Sequence, residues 1–152
     1  MSNAYDAYLE STILSADPLE LVAMLYRGAH EAVRRARQAV DRGDIRGRAA
    51  EITKAGEILT ELALSLDHRR GGDISRNLTE LYDYMQRKLI ESNTQQRAEP
   101  LFEVERLLAT LMEGWNECRE SLRRQAAADV PSFVQPGYGQ PAEDYSSLSL
   151  TA

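Results

Sequence analysis

The chain has 152 residues, a formal net charge of −6 and one cysteine, Cys118. That length suits a single domain with its own core. The acidic balance argues against nucleic acid as a partner, and a lone cysteine excludes an internal disulfide and a cysteine-rich zinc site. The opening stretch MSNAYDAYLESTIL carries Asp6 and Glu10 but no lysine or arginine, unlike a secretion signal. No apolar run approaches the ~20 residues that span a bilayer. The expectation is a soluble cytoplasmic protein.

In chain order, residues 1–16 come first. They read as an N-terminal segment that caps the bundle, with a short amphipathic helix over residues 3–14 that carries Tyr5, Tyr8, Leu9 and Thr12 on one side. Asp17-Pro18-Leu19-Glu20 then has the form of a helix start. Asp17 can cap, Pro18 suits the first turn, and Glu20 stands at the capping-box position. Val22, Leu25, Tyr26, Ala29, Val33, Ala36 and Val40 line one face of this first helix, and Gly43 ends it.

Asp44 caps a second helix that runs to about Asp67. Ile45, Ala49, Ile52, Gly56, Leu59, Ala63 and Leu66 recur in steps of three and four, and Ala55, Leu62 and Ile58 widen the stripe. Gly71-Gly72-Asp73 reads as a stop followed by a new cap. The third helix carries NLTELYDYMQRKL, residues 77–89, and ends near Asn93.

Pro100 opens a fourth helix, in which Leu101, Val104, Leu108, Leu111, Trp115, Cys118 and Leu122 form an unbroken four-three seam. The connections are short, so successive helices should pack antiparallel. The expected fold is all-α, an antiparallel four-helix bundle over residues 17–124. Residues 125–152 hold three of the five prolines and no Lys or Arg. They read as a disordered tail that cannot bury enough apolar surface to offset the cost of ordering.

Chemistry is hard to find in this pattern. A di-iron bundle needs paired Glu-x-x-His steps, but Arg27 precedes His30 by three residues and Ser65 precedes His68. Both histidines read as surface residues. Cys118 reads as a small core residue without an activating partner. No phosphate loop with its lysine is present. The run Arg34, Arg35, Arg37, Arg42, Arg46, Arg48 is broken by Asp41 and Asp44, and reads as a salt-bridged helix end. No metal, cofactor or enzymatic reaction is expected.

Apolar width is what remains. The stripe of the second helix covers close to half its circumference, and Leu64 stands outside even that. Tyr84 points about 200° away from Tyr82. Leu21 and Met24 lie off the main face of the first helix. A helix with one buried face needs little more than about 100°. The surplus fits a helix-in-groove binder, and equally a homodimeric interaction module with no client.

Several blocks resemble one family. Tyr5-x-x-Tyr8 is followed by Pro18-Leu-Glu-Leu-Val-Ala-Met-Leu-Tyr26. Ile52-x-Lys54-Ala55-x-x-Ile58-Leu59-x-Glu61-Leu62 and Ser65-Leu66-Asp67 come next. Gly71-Gly72-x-Ile74, Asn77-Leu78-x-x-Leu81-Tyr82-Asp83-Tyr84-Met85, Arg87-x-Leu89-Ile90 and Trp115 complete the series. Over residues 4–122 the chain is similar to the bacterial flagellar secretion chaperones that bind flagellin. Arg27–His30 departs from the acidic-glycine continuation usual there, although Gly28 keeps the glycine.

The resemblance implies a bundle that holds the C-terminal segment of flagellin, blocks premature polymerisation and assists delivery to the type III export apparatus. Export-gate components are implied as further partners. It nominates Ile52, Ala55, Ile58, Leu59 and Leu62 of the second helix, with Leu78, Leu81, Tyr84 and Met85 of the third, as the flagellin groove. Tyr5 and Tyr8 would form a displaceable cover. Leu59, Leu81 and Met85 fit an ordinary core equally well, and both a monomer and a homodimer stay open.

Overall fold

A computed structural model of the chain describes residues 17–125. The expectations for residues 1–16 and for 126–152, Tyr5 and Tyr8 included, lie outside the described residues. Within them run four helices: α1 (Pro18–Arg42), α2 (Ile45–Leu64), α3 (His68–Gln95) and α4 (Glu99–Arg124).

Their ends follow from local chemistry. The Asp17 carboxylate accepts from the Glu20 amide at 2.8 Å and Pro18 occupies the first turn of α1. The reciprocal arm of the capping box is replaced, because the Glu20 carboxylate pairs with Arg27 and Arg119. Gly43 closes α1 at φ 69°, a left-handed conformation that glycine adopts without a Cβ penalty. Asp44 then caps α2 through the Gly47 amide at 2.9 Å.

The third boundary differs from the sequence expectation. The second helix stops at Leu64, and Asp67 caps α3 by accepting from the Arg69 and Arg70 amides. One turn forms before Gly72 interrupts it at φ 52° and ψ −123°. Gly71-Gly72 therefore kinks a helix that has already begun, and Asp73 does not start it. Both aspartates are plausible caps by local sequence, and the short connection to α2 favours the earlier one.

The helices form a ring in which α1 touches α2 and α4, and α3 touches α2 and α4. Arg37 of α1 reaches Glu105 of α4 while Glu20 reaches Arg119, so α1 and α4 run antiparallel. Arg48 of α2 meets Asn93 late in α3, which sets α2 against α3 in the same way. This is the expected bundle.

Alanines dominate the α1 contribution to the core: Ala23, Ala29, Ala32, Ala36 and Ala39 are buried. Small side chains there let α2 come close. A Cβ on Gly28 would stand 3.3 Å from Ile58 Cδ1. Leu59, Leu62, Met85, Leu89, Leu101, Val104 and Leu108 fill the centre. Leu21, read from sequence as surplus, is 1% exposed. A helix in a closed ring packs against two neighbours, so it needs a wider apolar stripe than a helix with one buried face.

At the middle of the bundle Tyr26, Tyr82 and Trp115 converge. The Tyr26 and Tyr82 hydroxyls are 2.6 Å apart, and the Tyr26 and Trp115 rings meet edge to face. The Trp115 indole N–H donates to the Leu19 carbonyl at 3.0 Å. Burial raises the pKa of both phenols, so both are neutral.

The basic run is largely paired. Arg34 and Arg35 share Glu31, Arg42 reaches Asp44, and Arg37 binds Glu105 at 2.8 Å while stacking on Phe102.

Candidate functional site

The nominated groove residues divide by position. Ala55, Leu59, Leu62 and Met85 belong to the closed core, Met85 at 0% exposure. They are reachable only if helices part. Ile52 is buried at the border of a groove between α2 and α3. Ile58 is half-buried on the α1 side of α2, against Gly28. Leu78, Leu81 and Tyr84 are half-buried along α3 and pack against the edge of the core. These nine residues thus do not line one groove.

Among the described residues, openings lie between α2 and α3, beside the Gly72 kink, and between α1 and α4. The groove between α2 and α3, about 380 Å³, is polar at its centre. There Gln86 donates to the Gly56 carbonyl at 2.8 Å and to Thr60 at 3.2 Å. Ile90 stands exposed on its rim. A second opening of about 350 Å³ follows from the Gly72 kink and is lined by His68, Arg76, Thr79 and Glu80. His68 is exposed, and its Nδ1 lies 2.6 Å from the buried Ser75 hydroxyl. A third, about 40 Å³, lies between α1 and α4 beside Tyr26 and Trp115.

The seam between α3 and α4 carries the half-buried residues Leu78, Leu81, Tyr84, Leu107 and Leu111. Its polar ties gather in one half. The Tyr84 hydroxyl donates to Glu103, and Lys88 bridges Glu91 at 3.2 Å and Glu103 at 3.8 Å. The hydrogen bond to Glu103 raises the pKa of the Tyr84 phenol. Tyr84 therefore faces α4, where its ring also lies under the Lys88 ammonium, 5.6 Å from the ring centre.

Towards the other half the seam opens. On α3, Ile74 is 55% exposed and Leu78 and Leu81 are half-buried. On α4, the seam expected to stay buried through Leu122 is buried only at Leu101, Val104, Leu108 and Trp115. Leu107, Leu111, Cys118 and Leu122 are half-exposed. Cys118 is accordingly a rim residue and not an enclosed one. Leu64, at 60% exposure, and Ile74 both lie toward the end of the bundle where α1 begins. Sequence reasoning singled out Leu64 by its position off the stripe; it did not single out Ile74 as exposed.

Among the described residues no group of His, Cys, Asp and Glu could hold a metal ion, and no helix is long and apolar enough to cross a membrane. Among the described residues the arrangement is that of a small helical bundle with apolar side chains at its surface on α2, α3 and α4, a form that suits an interaction protein. The sequence profile of the family described as Flagellar protein FliS matches residues 1–122, and the chain belongs to that family.

Relatives agree with this. The chain is 40% identical over 110 residues to the flagellar secretion chaperone FliS of Salmonella typhimurium, a match covering 72% of this chain and 82% of that protein. With FliS of Bacillus subtilis it shares 32% identity over 124 residues, 82% of this chain and 92% of the relative. With FliSB of Pseudomonas aeruginosa, also a flagellar secretion chaperone, it shares 36% over 108 residues, 71% and 86% of the two chains.

Proposed function

We propose that this chain is a cytoplasmic export chaperone that binds the C-terminal segment of flagellin, keeps it from polymerising and helps deliver it to the flagellar type III export apparatus. The observation that carries the reading is the family match over residues 1–122, with relatives named flagellar secretion chaperones aligned along most of their length.

The bundle gives the reading a physical basis. A filament subunit must expose apolar helical surface to its neighbours, and a chaperone blocks that by offering the same surface another partner. Folding a segment on binding costs about 2–5 kcal/mol, so a long wrapped interface is needed to offset it. The half-exposed residues Ile58, Leu78, Leu81 and Tyr84, on different sides of α2 and α3, suit a client that wraps the bundle. Ile52, Ala55, Leu59, Leu62 and Met85 support that surface from beneath. Tyr5 and Tyr8 would act as a cover that flagellin displaces.

The test is a mixing experiment with purified protein and flagellin, followed by size and composition of the product. A soluble complex that disappears when flagellin lacks its C-terminal helical segment supports the reading. A stable homodimer that ignores flagellin would replace it with a clientless interaction module.

A further inference from the structure

We propose that the chain's own C-terminal segment folds back on the end of the bundle where α3 begins, and that Glu143-Asp144-Tyr145 docks there on Arg69 and Arg70 beside the Gly72 kink. The proposal is independent of the client that the bundle carries.

That end of the bundle is basic and open. His68, Arg69 and Arg70 follow one another in the first turn of α3, and all three are exposed. No ion pair joins Arg69 or Arg70 to another described residue. Neighbouring carboxylates are engaged elsewhere: Asp67 accepts from the Arg69 and Arg70 amides, and Asp73 pairs with Arg76. Glu80 is the acidic residue in the lining of the opening at the kink. Leu64 and Ile74, both more than half exposed, stand at the same end. Two free guanidiniums beside uncovered apolar side chains suit a short acidic segment that also carries an aromatic ring.

The C-terminal segment leaves from the same place. The Glu20–Arg119 pair sets the end of α4 beside the start of α1, and α3 begins at that end too. In the ring α4 borders α3, whereas α1 lies across the diagonal. Residues 126–152 therefore start one helix away from Arg69, roughly 8–10 Å between axes. Residues 126–142 are the tether to Glu143, and extended they reach beyond about 40 Å. A group on such a tether is present at an effective concentration of about millimolar order, so weak contacts suffice to hold it.

Charge distinguishes this segment from the other one outside the bundle. Residues 126–152 contain Asp129, Glu143 and Asp144 and no Lys or Arg. Glu143-Asp144 places two adjacent carboxylates against two adjacent guanidiniums, and Tyr145 follows directly with a ring that can cover Leu64 or Ile74. Residues 1–16 are acidic as well, but Asp6 and Glu10 stand four positions apart and the segment joins α1, at the corner diagonal to α3. The family match stops at residue 122, before the docking segment, so the contact is an addition to the shared bundle.

The experiment attaches a nitroxide to the full chain at Ser147→Cys, in a Cys118→Ser background, and follows the backbone amide signals by NMR. At low salt the amides of residues 68–76 should lose most of their intensity, and high salt should restore it. Glu143→Lys/Asp144→Lys should abolish the broadening. Adding Arg69→Glu/Arg70→Glu to that variant should bring it back, because the reversed charges again attract. A mixture of nitroxide-bearing chain with unlabelled, isotope-enriched chain should leave residues 68–76 at full intensity, as an intramolecular contact requires.

Full intensity at residues 68–76 in the nitroxide-bearing chain at low salt overturns the proposal. Broadening that survives the charge reversal also overturns it, since the carboxylates then do not hold the segment. Broadening in the mixture makes a second copy the occupant. A nitroxide at Ser11→Cys that broadens residues 68–76 where Ser147→Cys does not gives this end of the bundle to residues 1–16 instead.

Discussion

The hydroxyl oxygens of Tyr26 and Tyr82 lie 2.6 Å apart inside the bundle and join α1 to α3 across its diagonal. One phenol donates and the other accepts, and burial keeps both neutral by raising their pKa above the ordinary 10.0. Replacing either by Phe leaves the other hydroxyl buried without its partner, at a cost of about 1–3 kcal/mol. The double Phe variant should cost less than the sum of the singles. A double-mutant cycle by denaturant unfolding measures the coupling.

The same pair fixes a pH response. The unfolded chain loses phenolic protons near pH 10 while the folded chain retains them, so unfolding releases protons above that pH. The contribution is fully present below pH 10 and is lost as pH rises towards the higher folded values. Stability should fall steeply above pH 10 in the wild type, and less steeply when both tyrosines are Phe. Thermal unfolding from pH 8 to 11 reads the difference.

Gly72 holds φ 52° and ψ −123°, a combination closed to side-chain-bearing residues. Gly72→Ala should cost about 1–3 kcal/mol even though its Cβ would meet no neighbour within 4 Å. The penalty is in the backbone and not in contacts. Equilibrium unfolding checks it, and a neutral substitution would mean the kink is not part of the stable fold.

Ile58 and Tyr84 should separate stability from binding. Ile58 packs on Gly28 between α1 and α2, so Ile58→Asp places a carboxylate at a helix interface and should destabilise the bundle by about 2–4 kcal/mol. Tyr84 sits half-exposed on the α3–α4 rim with its hydroxyl on Glu103. Tyr84→Ala should cost no more than about 1–2 kcal/mol of stability and yet weaken flagellin binding. Circular dichroism melts and titration calorimetry on both variants distinguish the two roles.

The helices were legible because their signals are local. Asp17-Pro18, Gly43-Asp44 and Pro100 stand where α1, α2 and α4 begin or end. The start of α3 was not, because Asp67 and Asp73 offer equivalent caps and only the tertiary connection selects Asp67. The site was harder. Spacing put Tyr84 off the direction of Tyr82, but its carboxylate partner is Glu103, on the next helix. Periodicity also cannot tell a stripe shared between two neighbours from one left over. Leu21 is core for that reason, while Leu107, Leu111 and Cys118, on a similar pattern, emerge at an open seam.

The most direct measurement of the central claim is the composition of the particle formed when the full chain meets flagellin at micromolar concentration, by light scattering coupled to size exclusion. The account predicts a soluble complex with intact flagellin and none with flagellin lacking its C-terminal helical segment. Equal binding to the truncated flagellin, or a homodimer that takes up no flagellin at all, would contradict it.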